Sequence, residues 1–201
     1  MERALVSSLM ADSDLLVQFI SSFEKLDDMA VIREINPIAW ELRVGAPDQF
    51  GWTQWRPRKE MVDAELLAPV YAKLQARFPP FYERLVLSYR WAEVDLSSFR
   101  LLANPPGKDL YRLLAEIERD KGLWESLIPA GYIQFGKGPD IDYDPVCFDI
   151  KSPTKLRDYR IVKIDHEEIL CNNRIKVVAE VAPSFEQLVR QTIERANSSD
   201  K

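Results

Sequence analysis

Gly131-Tyr-Ile-Gln-Phe-Gly136, Asp144-Pro-Val-Cys-Phe-Asp149, Ile164-Asp-His-Glu-Glu-Ile169 and Ala182-Pro-Ser-Phe-Glu-Gln-Leu188 follow one another through the second half of the chain. Short apolar runs broken by polar turns read as strands. Ser184 and Gln187 form a capping box ahead of an inward stripe of Phe185, Leu188, Val189 and Ile193, which reads as a closing helix. The strands expected are Tyr132 to Phe135, Val146 to Ile150, Arg160 to Ile164, Ile169 to Asn172 and Arg174 to Val181. In the last of them Ile175, Val177, Ala179 and Val181 share a face, and Asn172-Asn173 suits a tight hairpin because asparagine tolerates positive φ.

Upstream the period is helical. Leu110, Leu113, Leu114 and Ile117 make an amphipathic helix with Gly122 placed to end it, and Pro105-Pro-Gly107 separates this helix from a strand pair over Val94 to Leu102 that turns at Ser97-Ser98. Pro79-Pro80 opens a short helix through Phe81, Tyr82, Leu85 and Val86, since proline suits a first turn. Val62, Leu66, Leu67, Val70 and Leu74 form another helical run, which Pro69 should split or kink. Between Asp27 and Arg58 the period fades into an extended stretch holding Trp40, Trp52 and Trp55, too much apolar area for a free linker. A first helix, capped by Asp12 or Ser13, carries Leu15, Leu16, Phe19, Ile20 and Phe23. The expectation is an α+β fold: an antiparallel meander sheet flanked by helices over residues 59–197, with a helical and Trp-rich addition over residues 1–58 packed on it.

With 46% apolar and 29% charged residues over 201 positions, the chain has ordinary globular usage and enough length to bury a core without staples. Residues 5–20 lack a basic start and a long apolar run, so neither a signal peptide nor a membrane span is expected. Cys147 and Cys171 both lie in apolar runs, which favours free thiols and a cytoplasmic setting. Thirty-two acidic against 27 basic residues give a net charge of −5, which opposes a nucleic-acid partner and would draw in a basic protein.

No set of nucleophile, base and orienting group stands out, so no catalytic residue is assigned. Asp140, Asp142 and Asp144 alternate as the first ligands of a calcium loop do, but Pro145 stands where that loop needs glycine and Lys151 where it needs glutamate. No metal or cofactor is called for. The alternation reads as a solvated acidic loop or, with Tyr143, as a surface for a basic partner. His166, the one histidine, lies between Asp165 and Glu167 and reads as a turn residue between strands. Cys147 is flanked by Val146 and Phe148, where burial disfavours a nucleophilic thiolate. Gly136-Lys-Gly138 is too short for a phosphate loop, and Trp52-Thr-Gln-Trp55-Arg-Pro-Arg58 is either packed indoles or an exposed protein-binding patch.

Phe78-Pro-Pro-Phe-Tyr82, the Gly131 to Gly136 strand, Cys147-Phe-Asp-Ile150, Ile164-Asp-His-Glu167 and Ala182-Pro-Ser-Phe-Glu186 come in the order in which the SUKH superfamily carries similar motifs. The likeness covers residues 78–195, with Arg90-Trp91 where that family has Asn-Gly after its first helix. The resemblance implies a non-enzymatic protein-binding module, with a basic toxin domain neutralised by an immunity protein among the partners to expect. Two other readings stand beside it: a metal-assisted enzyme using Asp140, Asp142 and Asp144 with His166 as acid or base, and a structural or scaffolding subunit. The oligomeric state is open.

Overall fold

The computed structural model describes residues 2–33, 35–153 and 157–198. In chain order these form α1 (Glu2–Leu26), β1 (Ala30–Val31), α2 (Pro37–Glu41), β2 (Arg43–Val44), β3 (Thr53–Trp55), β4 (Arg58–Lys59), a 3-10 turn (Ala64–Leu67), α3 (Ala68–Leu74), α4 (Pro80–Ser88), β5 (Tyr89–Arg90), β6 (Val94–Asp95) and β7 (Arg100–Leu101). They continue with α5 (Tyr111–Ile117), α6 (Lys121–Leu127), β8 (Tyr132–Lys137), β9 (Pro145–Pro153), β10 (Tyr159–Ile164), α7 (His166–Asn172), β11 (Val177–Ala182) and α8 (Phe185–Ser198). Strands β6 to β11 pair consecutively and antiparallel in one six-stranded sheet, so the chain is an α+β fold built on a meander flanked by helices. No helix among the described residues is long and apolar enough to cross a membrane.

Strand alternation gives the sheet two buried faces. One carries Ile133, Phe135, Val146, Phe148 and Ile161 and packs on Tyr82 of α4 and Phe185 of α8, while Phe19 and Phe23 of α1 belong to the same core. The other carries Tyr132, Cys147, Val162 and Ile164 beneath Leu123 and Leu127 of α6 and Ile169 of α7. Phe135 stacks on Phe148 at 4.2 Å, with Phe185 edge-on to both at 5.3 and 5.5 Å. Tyr82 meets Phe148 at 5.2 Å and Phe185 at 5.3 Å, near the spacing at which aromatic pairs attract beyond their area burial. Its hydroxyl finds no partner among these rings, and burial pushes the phenol up from its ordinary value.

Local signals explain several boundaries. The run splits just ahead of Pro69, the 3-10 turn ending at Leu67 and α3 starting at Ala68 with Pro69 in its first turn, and Gln75 in the left-handed region ends α3. Ser184 Oγ accepts from the Gln187 N–H at the start of α8, where Asp158 also accepts from the Phe185 and Glu186 N–H groups. Arg90 is fully buried and donates to the Val86 and Tyr89 carbonyls at 2.6 and 2.8 Å. Asn104 donates to the same two carbonyls, so two side chains satisfy the open end of α4.

Six local expectations are corrected. The first helix starts at Glu2, which places Asp12 and Ser13 inside it rather than at its cap. Residues 27–58 are not merely extended: Asn36 caps α2, and β1, β3 and β2 make a small sheet. Gly122 does not end a helix. Asp120 caps α6 instead, and Gly122 lies where that helix meets α7, since an added Cβ would fall 2.9 Å from Leu170 Cδ2. Ile169 to Asn172 is helix, because Asp165 caps α7 by accepting from the Glu168 N–H at 3.0 Å. Asn173 does take positive φ, but as the left-handed residue closing α7 and not in a hairpin. Finally, β11 is a sheet edge whose Val177 and Val178 are both 41% exposed, so it buries no apolar face over most of its length.

Two substitutions probe the aromatic centre. Phe185→Ala is expected to cost about 3–5 kcal/mol, the transfer energy of the ring plus the cavity left behind. Tyr82→Phe deletes an unpartnered hydroxyl and should leave stability equal or higher. Urea unfolding midpoints check both.

Candidate functional site

The connection from β8 to β9 is the acidic segment, and it is folded tightly onto itself. Gly138 N–H donates to the Asp144 carbonyl at 2.9 Å, Asp142 N–H to the Pro139 carbonyl at 2.9 Å and Asp144 N–H to Asp142 Oδ1 at 2.9 Å. The Asp142 side chain lies so close over Gly138 that a Cβ there would collide with its carboxyl group, so glycine is required. Asp140 takes positive φ, which aspartate tolerates, and its N–H donates to Asp95 Oδ2.

Two cations hold this loop from either side. Arg100 of β7 donates to the Gly138 carbonyl at 3.2 Å and to the Asp142 carbonyl at 3.3 Å, and its guanidinium stands over the Tyr143 ring. Lys163 of β10 donates to Asp142 Oδ2 at 2.9 Å and stands 3.9 Å from Asp144 Oδ2. Partial burial raises the Asp142 pKa, but the Lys163 ammonium and the Asp144 N–H outweigh it and hold the carboxyl below its ordinary value of 3.8. Asp144 Oδ1 accepts from the His166 backbone N–H at 2.9 Å and lies 2.7 Å from His166 Nδ1. An ionised carboxylate can only accept, so Nδ1 carries the proton and Nε2 is the ring nitrogen left for other partners.

The acidic alternation is therefore not a row of solvated carboxylates. Asp142 and Asp144 are engaged by Lys163 and His166, and what the loop turns outward is Ile141, 86% exposed, and Tyr143, 57% exposed. Tyr143 and His166 also line a cleft of about 680 Å³ on the face of the sheet that α6 covers, together with Leu102, Leu123, Gln134 and Lys137. Its wall is an ion-pair network in which Glu93 holds Lys137 at 2.8 Å and Arg119 at 3.6 Å, and Arg119 also pairs with Glu116.

The remaining sequence candidates separate. Trp55 is 3% exposed and belongs to the main core, whereas Trp52 is 42% exposed, so the two do not form one patch. His166 is the first residue of α7 rather than a turn between strands. Cys147 packs with Leu123, Leu127 and Val162, and burial raises its thiol well above the ordinary value, so it has no nucleophilic role beside His166. Cys171 is an exposed helix residue, not a small hydrophobe, and both cysteines are free. Among the described residues no three His, Cys, Asp or Glu side chains come together in a way that could hold a metal ion. Arg100, Lys163 and the lining residues Gln134 and Lys137 carry no local sequence signal, because they reach the loop only through strand pairing. No family model matches the sequence, and no curated protein does.

Because the Asp142 pKa is lowered on folding, the unfolded chain binds more protons there as pH falls below about 3.8, and the stability it contributes is present above that value and lost beneath it. Asp142→Asn should flatten the acid limb of a stability–pH curve below about pH 4 and leave the neutral limb unchanged in slope. The thiols give a second check. A disulfide reagent should label Cys171 at once in the native protein and Cys147 only on unfolding, as the time course of two-thiol labelling would show.

Proposed function

We propose that this chain is a non-enzymatic protein-binding module of SUKH type, an immunity factor that holds a toxin domain through the loop between β8 and β9. The observation that carries this reading is the pairing of a tightly bonded loop with an exposed apolar tip, Ile141 and Tyr143. Large apolar residues on a solvated loop are costly unless they serve a contact, and a loop already held by Arg100 and Lys163 loses little entropy when it binds. Asp140 remains exposed at the rim, where it would steer a basic partner, while Asp142 and Asp144 keep the loop in shape. The motif order shared with the SUKH superfamily supports the same reading, and two free thiols are compatible with a reducing cytoplasm.

Affinity capture from the native host, with the coding neighbourhood inspected for a toxin gene, would supply the partner. Against it, Tyr143→Ala and Ile141→Ala should each weaken binding by about 2 kcal/mol, roughly thirtyfold, mainly through faster dissociation. Asp140→Asn should slow association and reduce its salt dependence, and Trp52→Ala should change neither rate. A turnover activity lost on His166→Ala would overturn the proposal, as would unchanged rates in all the loop variants.

A further inference from the structure

A second groove, of about 310 Å³, lies between β2 and β4 and differs from the rest of this acidic chain in its charge. Arg43, Arg56, Arg58 and Lys59 line it against a single carboxylate, Glu41. Glu41 is already taken: Arg112 grips both of its oxygens at 2.8 and 2.9 Å, which with this charge holds its pKa below the ordinary value. Among the described residues Arg56 pairs with Glu24 and Arg58 with Glu60. Among the described residues Arg43 and Lys59 have no ion-pair partner; Arg43 donates to the Trp40 carbonyl and lies over the Trp40 ring. The groove thus concentrates four positive charges in a molecule whose net charge is −5.

Its walls also have a form that suits one kind of ligand. β2 is an edge of the small three-stranded sheet and β4 is an edge of the pair it makes with β5, so each strand has one side without a neighbour in its sheet. An extended chain laid between two such edges can bond to main-chain groups while its side chains reach the guanidinium groups. Arginine is suited to this task because its planar fork binds a carboxylate through two parallel hydrogen bonds. A long polyanion such as nucleic acid would run beyond the groove into the negative remainder of the surface, whereas a short acidic segment would meet only the cations within a Debye length of about 8 Å. We propose that the groove between β2 and β4 binds a short, acidic, extended segment of a partner protein through carboxylate pairing with Arg43, Arg56, Arg58 and Lys59. This site shares no residue with the β8–β9 loop and stands or falls independently of it.

The test is fluorescence anisotropy on the full chain with three labelled probes: a peptide alternating Glu and Val, its Gln-for-Glu counterpart, and a single-stranded RNA of the same formal charge as the first. The Glu peptide should bind, should weaken as salt rises, and should lose about tenfold in affinity for each of Arg43→Gln and Lys59→Gln. These two residues are chosen because removing them orphans no carboxylate. The Gln peptide should not bind, and Ile141→Ala should leave binding unchanged. Should either of these variants unfold, Lys59→Glu carries the same expectation. Failure of the Glu peptide to bind, equal binding of the Gln peptide, RNA binding as tight as that of the Glu peptide, or indifference to these substitutions would each overturn the proposal.

Discussion

Phe135 of β8 and Phe148 of β9 lie face to face, 4.2 Å between ring centres, and Phe185 of α8 and Tyr82 of α4 close over them edge-on. This stack ties the two central strands of the meander to helices separated from them by about 50 residues upstream and 40 downstream in the chain. It also sets register. Because side chains alternate, a slip of one residue in either strand would turn its phenylalanine to the opposite face and bring a polar or small residue into the aromatic cluster. Pairing of Ile133 with Phe148 and Gln134 with Cys147, with an irregularity before Gly136, is the arrangement that satisfies both faces together.

The cleft and the acidic loop inherit that register. With Phe135 committed to one face, Gln134 must face the other, where it lines the cleft, and Cys147 is buried beside Leu123 and Leu127. The ends of β8 and β9 then fix the span that Gly138 to Asp144 has to cover, and Arg100 and Lys163 arrive on either side because β7 and β10 are the next strands in the sheet. Neither cation could do this in a different strand order. The loop is held from outside because the sheet brings Arg100 to its carbonyls and Lys163 to its carboxylates.

Charge is distributed in the same manner. The overall balance is negative, yet in the β8–β9 loop Asp142 is paired with Lys163 and Asp144 is hydrogen-bonded to His166, while β2, β4 and the residues between β3 and β4 gather four cations into one groove. Net charge therefore describes the long-range field and not either surface. An approaching protein would feel the chain's sign at a distance and the local arrangement only within the screening length.

The sequence by itself determined the elements whose causes are local. Pro79-Pro80 begins a helix, Pro69 divides one, Ser184 and Gln187 open α8, and the alternation in Tyr132 to Phe135 and Val146 to Ile150 makes strands, each through interactions within a few residues. Short connections make neighbours of β6 and β7 and of β8, β9 and β10, whereas β7 pairs with β8 across α5 and α6, and β10 with β11 across α7. Where two local signals competed, tertiary context decided. Asp165 could cap a helix as readily as Asn172-Asn173 could turn a hairpin, and packing of Ile169 beneath the sheet chose the helix. Gly122 reads as a helix end until α7 is placed against it. The separation of Trp55 into the core from Trp52 at the surface, and the engagement of Asp142 by a lysine 21 residues away, belong entirely to the tertiary structure. Both depend on which strands become neighbours, and that is settled by burial of the aromatic centre rather than by any residue's immediate surroundings.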